Sequence, residues 1–160
     1  ILASGSSMGA AIEAQKVLAE EFDVAVDIYS VTSYGELRND ALECERWNRL
    51  HPEAMAKVPF ITRTLGSVQG PIIAVSDFMK SLPDMISRFV PSPFVVLGTD
   101  GYGFSDTRDA LRRHFEIDAG HIVVATLDGL SQSGDIEPHM VTKALEKFGI
   151  DTEIDDPRNR

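Results

Sequence analysis

A chain of 160 residues is the size of one domain, and folding it would bury about 70% of the surface that the unfolded chain exposes. A formal net charge of -10 and a pI near 4.7 repel polyanions, which argues against nucleic acid as a partner, and no apolar run approaches the roughly 20 residues that cross a bilayer, which argues against a membrane. With 43% hydrophobic and 25% charged residues the composition is that of a globular chain rather than a disordered one.

In chain order, LASGSSMGAAIEAQKVLAEEF passes from an apolar strand through a glycine turn into a helix whose apolar face is Ala11, Ala14, Leu18 and Phe22, with Ser6 or Ser7 as its cap. The chain opens inside that strand without a methionine, so the sequence is expected to be part of a longer protein whose remainder lies upstream. VAVDIYS, residues 24–30, reads as the next strand, giving a βαβ unit. GELRNDALECERWNRL then places Leu37, Ala41, Cys44 and Trp47 on one helical face, which makes Cys44 a core residue rather than a nucleophile. As the sole cysteine it can form no internal disulfide or thiolate cluster, which suits a reducing compartment and makes the cytoplasm the expected location.

VPFITRTLG predicts a short helix with Pro59 in its first turn and Gly66 at its end, followed by the strands PIIAVS (71–76) and FVVLG (94–98). Between those strands a helix is expected to begin near Pro83, with Met85, Ile86 and Phe89 toward the sheet. TRDALRRHF predicts a helix capped by Ser105 or Asp106, its Arg108, Arg112 and Arg113 forming a solvated face paired with Asp106 and Asp109. AGHIVVATLDGLSQSG could be a strand by composition, but Asp118 as a cap and the stripe Ile122, Val123, Thr126 and Leu130 favour a helix. EPHMVTKALEKFG predicts a last helix with Val141, Leu145 and Phe148 inward and Gly149 ending it. Alternating strands and helices imply one three-layer α/β/α domain over residues 1–150 with a mostly parallel sheet, and DTEIDDPRNR, 151–160, reads as a polar tail.

In such a fold ligands sit at the carboxyl ends of the strands, where SGSSMG and GTDGYGF would converge. Neither turn is a phosphate loop: the first is one residue short of GxGxxG, and it lacks the lysine of a P-loop. His51, His114, His121 and His139 are scattered over different elements with no i, i+4 pair, so no metal site is expected, and the absence of GxSxG argues against a hydrolase elbow.

Three stretches carry a more specific signal: IYSVTSYGELRND (28–40), CERWNRLHP (44–52) and LGTDGYGFSDTRDALRRHFEID (97–118). Together they resemble the C-terminal domain of the homodimeric decarboxylase component of bacterial pyruvate dehydrogenase complexes, thiamine diphosphate enzymes of the transketolase superfamily. The similarity runs from about Leu2 to the tail. The resemblance implies a parent enzyme that decarboxylates pyruvate and acetylates the lipoyl group of the acyltransferase core, with thiamine diphosphate and magnesium held by upstream domains. It also implies that this segment supplies no catalytic, cofactor-binding or metal residue. Asp100-Gly101 follows a threonine and lacks the partnering asparagine of the family's GDG...N cofactor motif. The segment's implied role is architectural. It packs against the upstream domains and supports the contact with a second subunit, with Tyr102 and Phe104 as candidate interface residues. An antiparallel first strand is expected upstream of Ile1. Two other readings stay open: a free-standing acidic module that binds an anionic ligand at one of the glycine turns, and a docking domain that offers its acidic surface to the acyltransferase core.

Overall fold

The computed structural model describes residues 1–160. Four parallel strands, β1 (Leu2–Ala3), β2 (Tyr29–Ser30), β3 (Ile72–Val75) and β4 (Phe94–Leu97), lie in the order β2-β1-β3-β4. The seven helices are α1 (Met8–Phe22), α2 (Tyr34–Leu50), α3 (Phe60–Leu65), α4 (Ser81–Asp84), α5 (Arg108–His114), α6 (Ala119–Gln132) and α7 (His139–Phe148). From β1 the chain moves to one edge for β2, then crosses back for β3 and β4. The direction therefore reverses between β1 and β3, and a crevice opens at their carboxyl ends.

Strand alternation sorts the core into two layers. Ala3, Ile73 and Val75 face α1, α6 and α7, while Leu2, Ile72 and Ala74 face the side built from α2, α3 and the α4 region. On the first side the predicted face of α1 is buried throughout, and small residues such as Ala10, Ala11 and Ala14 let α6 approach closely. The three-layer parallel architecture is the one the sequence predicts.

Helix α6 is a helix, as the Asp118 cap implies: Asp118 Oδ1 accepts from His121 N at 2.9 Å, and Ile122, Val123 and Thr126 are buried. On α7 the predicted face is only half buried, Ala144 being its fully buried residue. Gly149 ends that helix at φ +55°. Ala41 and Cys44 are buried on α2, with Leu37 and Trp47 half buried beside them.

Two expectations are corrected. Of the predicted strand 24–30 only Tyr29–Ser30 joins the ladder, because the polar groups before it are tied to α1 instead: Val24 N donates to Leu18 O, and the Gln15 side-chain amide donates to Val26 O. Val24, Val26 and Ile28 still pack on the core. No long helix begins at Pro83 either. It falls in the single turn of α4, where a missing N–H has no intrahelical partner to lose, and a 3-10 turn at Ser87–Phe89 follows. Ile86 and Phe89 are buried as predicted, and Met85 is half buried.

Candidate functional site

The crevice is built by the segments that leave β1, β3 and β4 and by the exposed side of α5. A 3-10 turn at Gly5–Ser7 leads into α1, held by Ser4 N donating to Val75 O (3.1 Å) and Ser7 N donating to Ser4 O (3.2 Å). Neither Ser6 nor Ser7 caps α1 through its side chain. Ser7 already has helical backbone angles (φ -73°, ψ -12°), whereas a capping side chain reaches its N–H from an extended residue. Its hydroxyl is buried without a hydrogen-bond partner.

The residue that organises this turn is Asp77, two residues after the end of β3. Its Oδ2 accepts from Ser6 N at 3.0 Å, and a Cβ built on Gly5 would lie 2.7 Å from its Oδ1. Burial pushes the Asp77 carboxyl up, but hydrogen bonds from Ser6 and the nearby Arg112 guanidinium outweigh it and hold the group below the usual carboxylate range. Arg112 in turn donates from Nη2 to Ser6 O at 2.8 Å, so α5 is bound to the first turn.

The second glycine turn repeats the device. Asp100 Oδ1 accepts from Lys80 N at 2.9 Å, and Thr99 N donates to Phe78 O at 3.0 Å, which fastens the β4 loop onto the β3 loop. Gly98 is the point of closest approach: a Cβ there would stand 2.6 Å from Phe78 O and 2.9 Å from Lys80 N. Between the two loops lies a cavity of about 460 Å³ whose polar lining includes Ser6, Asp77, Thr99, Asp106, Arg108 and Arg112.

These residues do not fit a diphosphate with magnesium. The amides of Ser6 and Lys80 already serve the chain's own carboxylates, and those carboxylates would repel a phosphate. No group of three His, Cys, Asp or Glu side chains is placed to hold a metal ion. His51 stacks on Trp47 at 4.5 Å, while His114, His121 and His139 lie on α5, α6 and α7.

The cap of α5 is Thr107, not Ser105 or Asp106. Thr107 has the extended backbone that a cap needs, and its hydroxyl accepts from Ala110 N at 3.3 Å, while Asp106 Oδ1 accepts from Thr107 N at 2.6 Å. The arginines of α5 are also not paired with Asp106 or Asp109 as predicted. Arg112 holds the first turn, and Arg113 donates to Phe148 O and Gly149 O at the end of α7 while meeting Asp118 Oδ2 at 3.4 Å. Carbonyls at a helix end attract a guanidinium more specifically than exposed carboxylates do, because their orientation is fixed.

Asp118 also accepts from the His121 ring at 2.7 Å; burial raises its carboxyl, but the His121 hydrogen bonds and charge and Arg113 bring it below the usual range. Cys44 is buried in the core, and burial pushes its thiol up, the opposite of what an activated nucleophile needs.

Tyr102 is 84% exposed and Phe104 49%, the latter packed edge-on against the His114 ring with centroids 4.5 Å apart. The adjoining β3 loop exposes Phe78 and Met79 as well, a pair of apolar residues that sequence reading assigned to no surface. The signal was present: Ser-Asp-Phe-Met follows a fully buried strand, where the chain must leave the core.

A doubly wound parallel α/β domain whose switch-point loops are tied down by its own aspartates is thus the class of molecule at hand. The chain belongs to the transketolase-like TK C-terminal domain family, whose model matches residues 1–118. Among curated proteins it is 48% identical over 151 residues, 94% of this chain, to the pyruvate dehydrogenase E1 component of Mycobacterium tuberculosis. It is 45% identical over 98% of its length to the protein of that name from Pseudomonas aeruginosa, and 43% identical over 99% to that of Escherichia coli. The chain spans 16% of the Mycobacterium protein and 18% of the other two. No helix is long and apolar enough to cross a membrane.

Proposed function

We propose that this chain is the C-terminal domain of a pyruvate dehydrogenase E1 component. The observation that carries the reading is identity of 43–48% over 94–99% of the chain to proteins of that name. The parent enzyme, on this reading, is a cytoplasmic homodimer. It uses thiamine diphosphate and magnesium to decarboxylate pyruvate and passes the acetyl group to the lipoyl arm of the acyltransferase core.

Within that enzyme residues 1–150 form a structural domain and none of them touches the cofactor or the reacting carbons. The self-satisfied crevice supports this division, since its amide donors are engaged by Asp77 and Asp100. The exposed loop bearing Tyr102 and Phe104 then meets the rest of the parent chain or the second subunit. Aromatic side chains suit such a contact because each removes a large apolar area from water at a small cost in side-chain entropy.

The intact parent protein tests the proposal. Pyruvate-dependent reduction of an artificial electron acceptor is expected, and it should require both thiamine diphosphate and magnesium. Calorimetry should detect cofactor binding to the parent and none to a fragment of residues 1–160. A parent without pyruvate activity, or a fragment that binds the cofactor at micromolar concentration, would sink the reading.

A further inference from the structure

Residues 151–155 are exposed, but residues 156–160 do not trail into solvent. A 3-10 turn at Pro157–Asn159 is closed by Asp156, whose Oδ1 accepts from Arg158 N at 2.9 Å and whose carbonyl accepts from Asn159 N at 2.8 Å. Pro157 is buried. Its carbonyl lies against Gly101, where a Cβ would come within 3.0 Å of Pro157 O, and Gly101 itself sits at φ +108°, a conformation that other residues rarely adopt.

The far end of the segment is anchored at the end of α5. Arg160 has only 15% of its side chain exposed, and its Nη2 meets Glu116 Oε1 at 2.5 Å while Nη1 donates to His114 O at 3.3 Å. Glu116 is held at φ +59°, an unfavourable left-handed conformation for a residue with a side chain, so the tail's guanidinium clamps a strained position. Phe104 packs on the ring of that same His114. One short segment therefore touches the β4 loop at Gly101 and the support of its Phe104 side chain at His114.

We propose that residues 151–160 are a clasp that sets the shape of the loop 100–106, and so positions Tyr102 and Phe104 for contact with the rest of the parent enzyme; the second half of this statement rests on the function proposed above. The loop has reason to need one. Residues 101–109 are all exposed, two of the first three are glycines, and no backbone hydrogen bond holds residues 100–106 to the sheet. Such a segment has many conformations of similar energy unless something outside it selects one.

The test compares the intact parent enzyme with a deletion of residues 151–160 and with Arg160→Gln, which keeps the tail but removes its charge. Hydrogen exchange is read at Thr99 and at Phe115–Ile117, the hydrogen-bonded amides that frame the loop, with Ile72–Val75 of β3 as the folding control. In the deletion, exchange at the framing amides should accelerate by at least about tenfold with β3 unchanged, and Arg160→Gln should give a smaller change of the same sign. Unchanged exchange at the framing amides with β3 still protected overturns the clasp. If the deletion also strips protection from β3, Arg160→Gln alone decides, and a framing rate equal to that of the unmodified enzyme overturns it. Dimer dissociation, measured by sedimentation, separates the two halves of the proposal. Faster exchange with an unweakened dimer supports the clasp and removes a contact of Tyr102 and Phe104 with the second subunit. Faster exchange with a weaker dimer supports both.

Discussion

After β1 the chain turns inward: Gly5–Ser7 winds directly into α1, Ser7 is buried, and Arg112 reaches across from α5 to hold the turn. After β4 it turns outward, and residues 101–109 are all exposed, two aromatic side chains among them. Both turns are rich in glycine and both are secured by an aspartate that accepts from a backbone amide. What differs is the cover. The first turn keeps Gly5 and Ser6 exposed but buries Ser7 and runs straight into a helix, while the second touches the tail at Gly101 and leaves apolar side chains exposed. Glycine content therefore marks where the backbone must bend or approach closely, and the tertiary surroundings decide whether the bend leads into a helix or stays an exposed loop.

The comparison can be broken most forcefully at the junction of the β3 and β4 loops. Gly98→Ala forces a methyl group to within van der Waals overlap of the Phe78 carbonyl and the Lys80 amide, both backbone atoms that cannot swing aside. It should lower stability by about 3 kcal/mol, read from urea unfolding of the parent enzyme. A loss below about 1 kcal/mol would show that the two loops are free to separate, contrary to the hydrogen bonds that join them.

A middle-sized effect is expected at the first turn. Asp77→Asn weakens the bond from Ser6 and the attraction to Arg112, costing about 1 kcal/mol once solvent screening is allowed for. The pH dependence follows from the direction of the shift. Because the folded carboxyl is lowered, its stabilisation is complete above the unfolded value of about 4 and is lost as the pH falls through the lowered folded value. Thermal unfolding between pH 5 and pH 2 should thus fall more steeply for the unmodified protein than for Asp77→Asn. Parallel curves would mean that the Ser6–Asp77 contact does not persist in solution.

The smallest effect on folding belongs to the outward turn. Tyr102→Ser removes a ring that is already 84% exposed and should change stability by less than about 0.5 kcal/mol. On the proposal that the ring meets the second subunit, it should weaken the dimer by about tenfold in dissociation constant, as loss of an interface aromatic does. Equal dimer strength in the variant and the unmodified enzyme would remove the ring from the contact between subunits.

Much of the fold was legible in residue order because its signals are local. Ala11, Ala14, Leu18 and Phe22 recur at helical spacing, and all four are buried; Asp118 stands one residue before the helix it caps. The failures arose where a distant partner outcompeted a local preference. VAVDIYS has strand propensity over seven residues, yet α1 captures its first polar groups. Ser105 and Asp106 have capping side chains, but Thr107 has the extended backbone. Around the crevice, the exposure of Tyr102 and Phe104 follows from their place on a glycine-rich loop, whereas the role of Asp77 could not be read, since it lies 71 residues from the amide it binds.

Sequence alone determined the alternating α/β pattern, the apolar helical faces and the fingerprint in residues 97–118 that the family match supports. These depend on periodicity and on neighbours within a few positions, which the order of residues states directly. Only the tertiary structure decided that Asp77 and Asp100 take the backbone amides of Ser6 and Lys80, that the α5 arginines clamp carbonyls, and that the tail lies on Gly101 and Glu116. Each of those contacts joins residues far apart in the chain, and which donor meets which acceptor is fixed only after the strands have stacked in the order β2-β1-β3-β4.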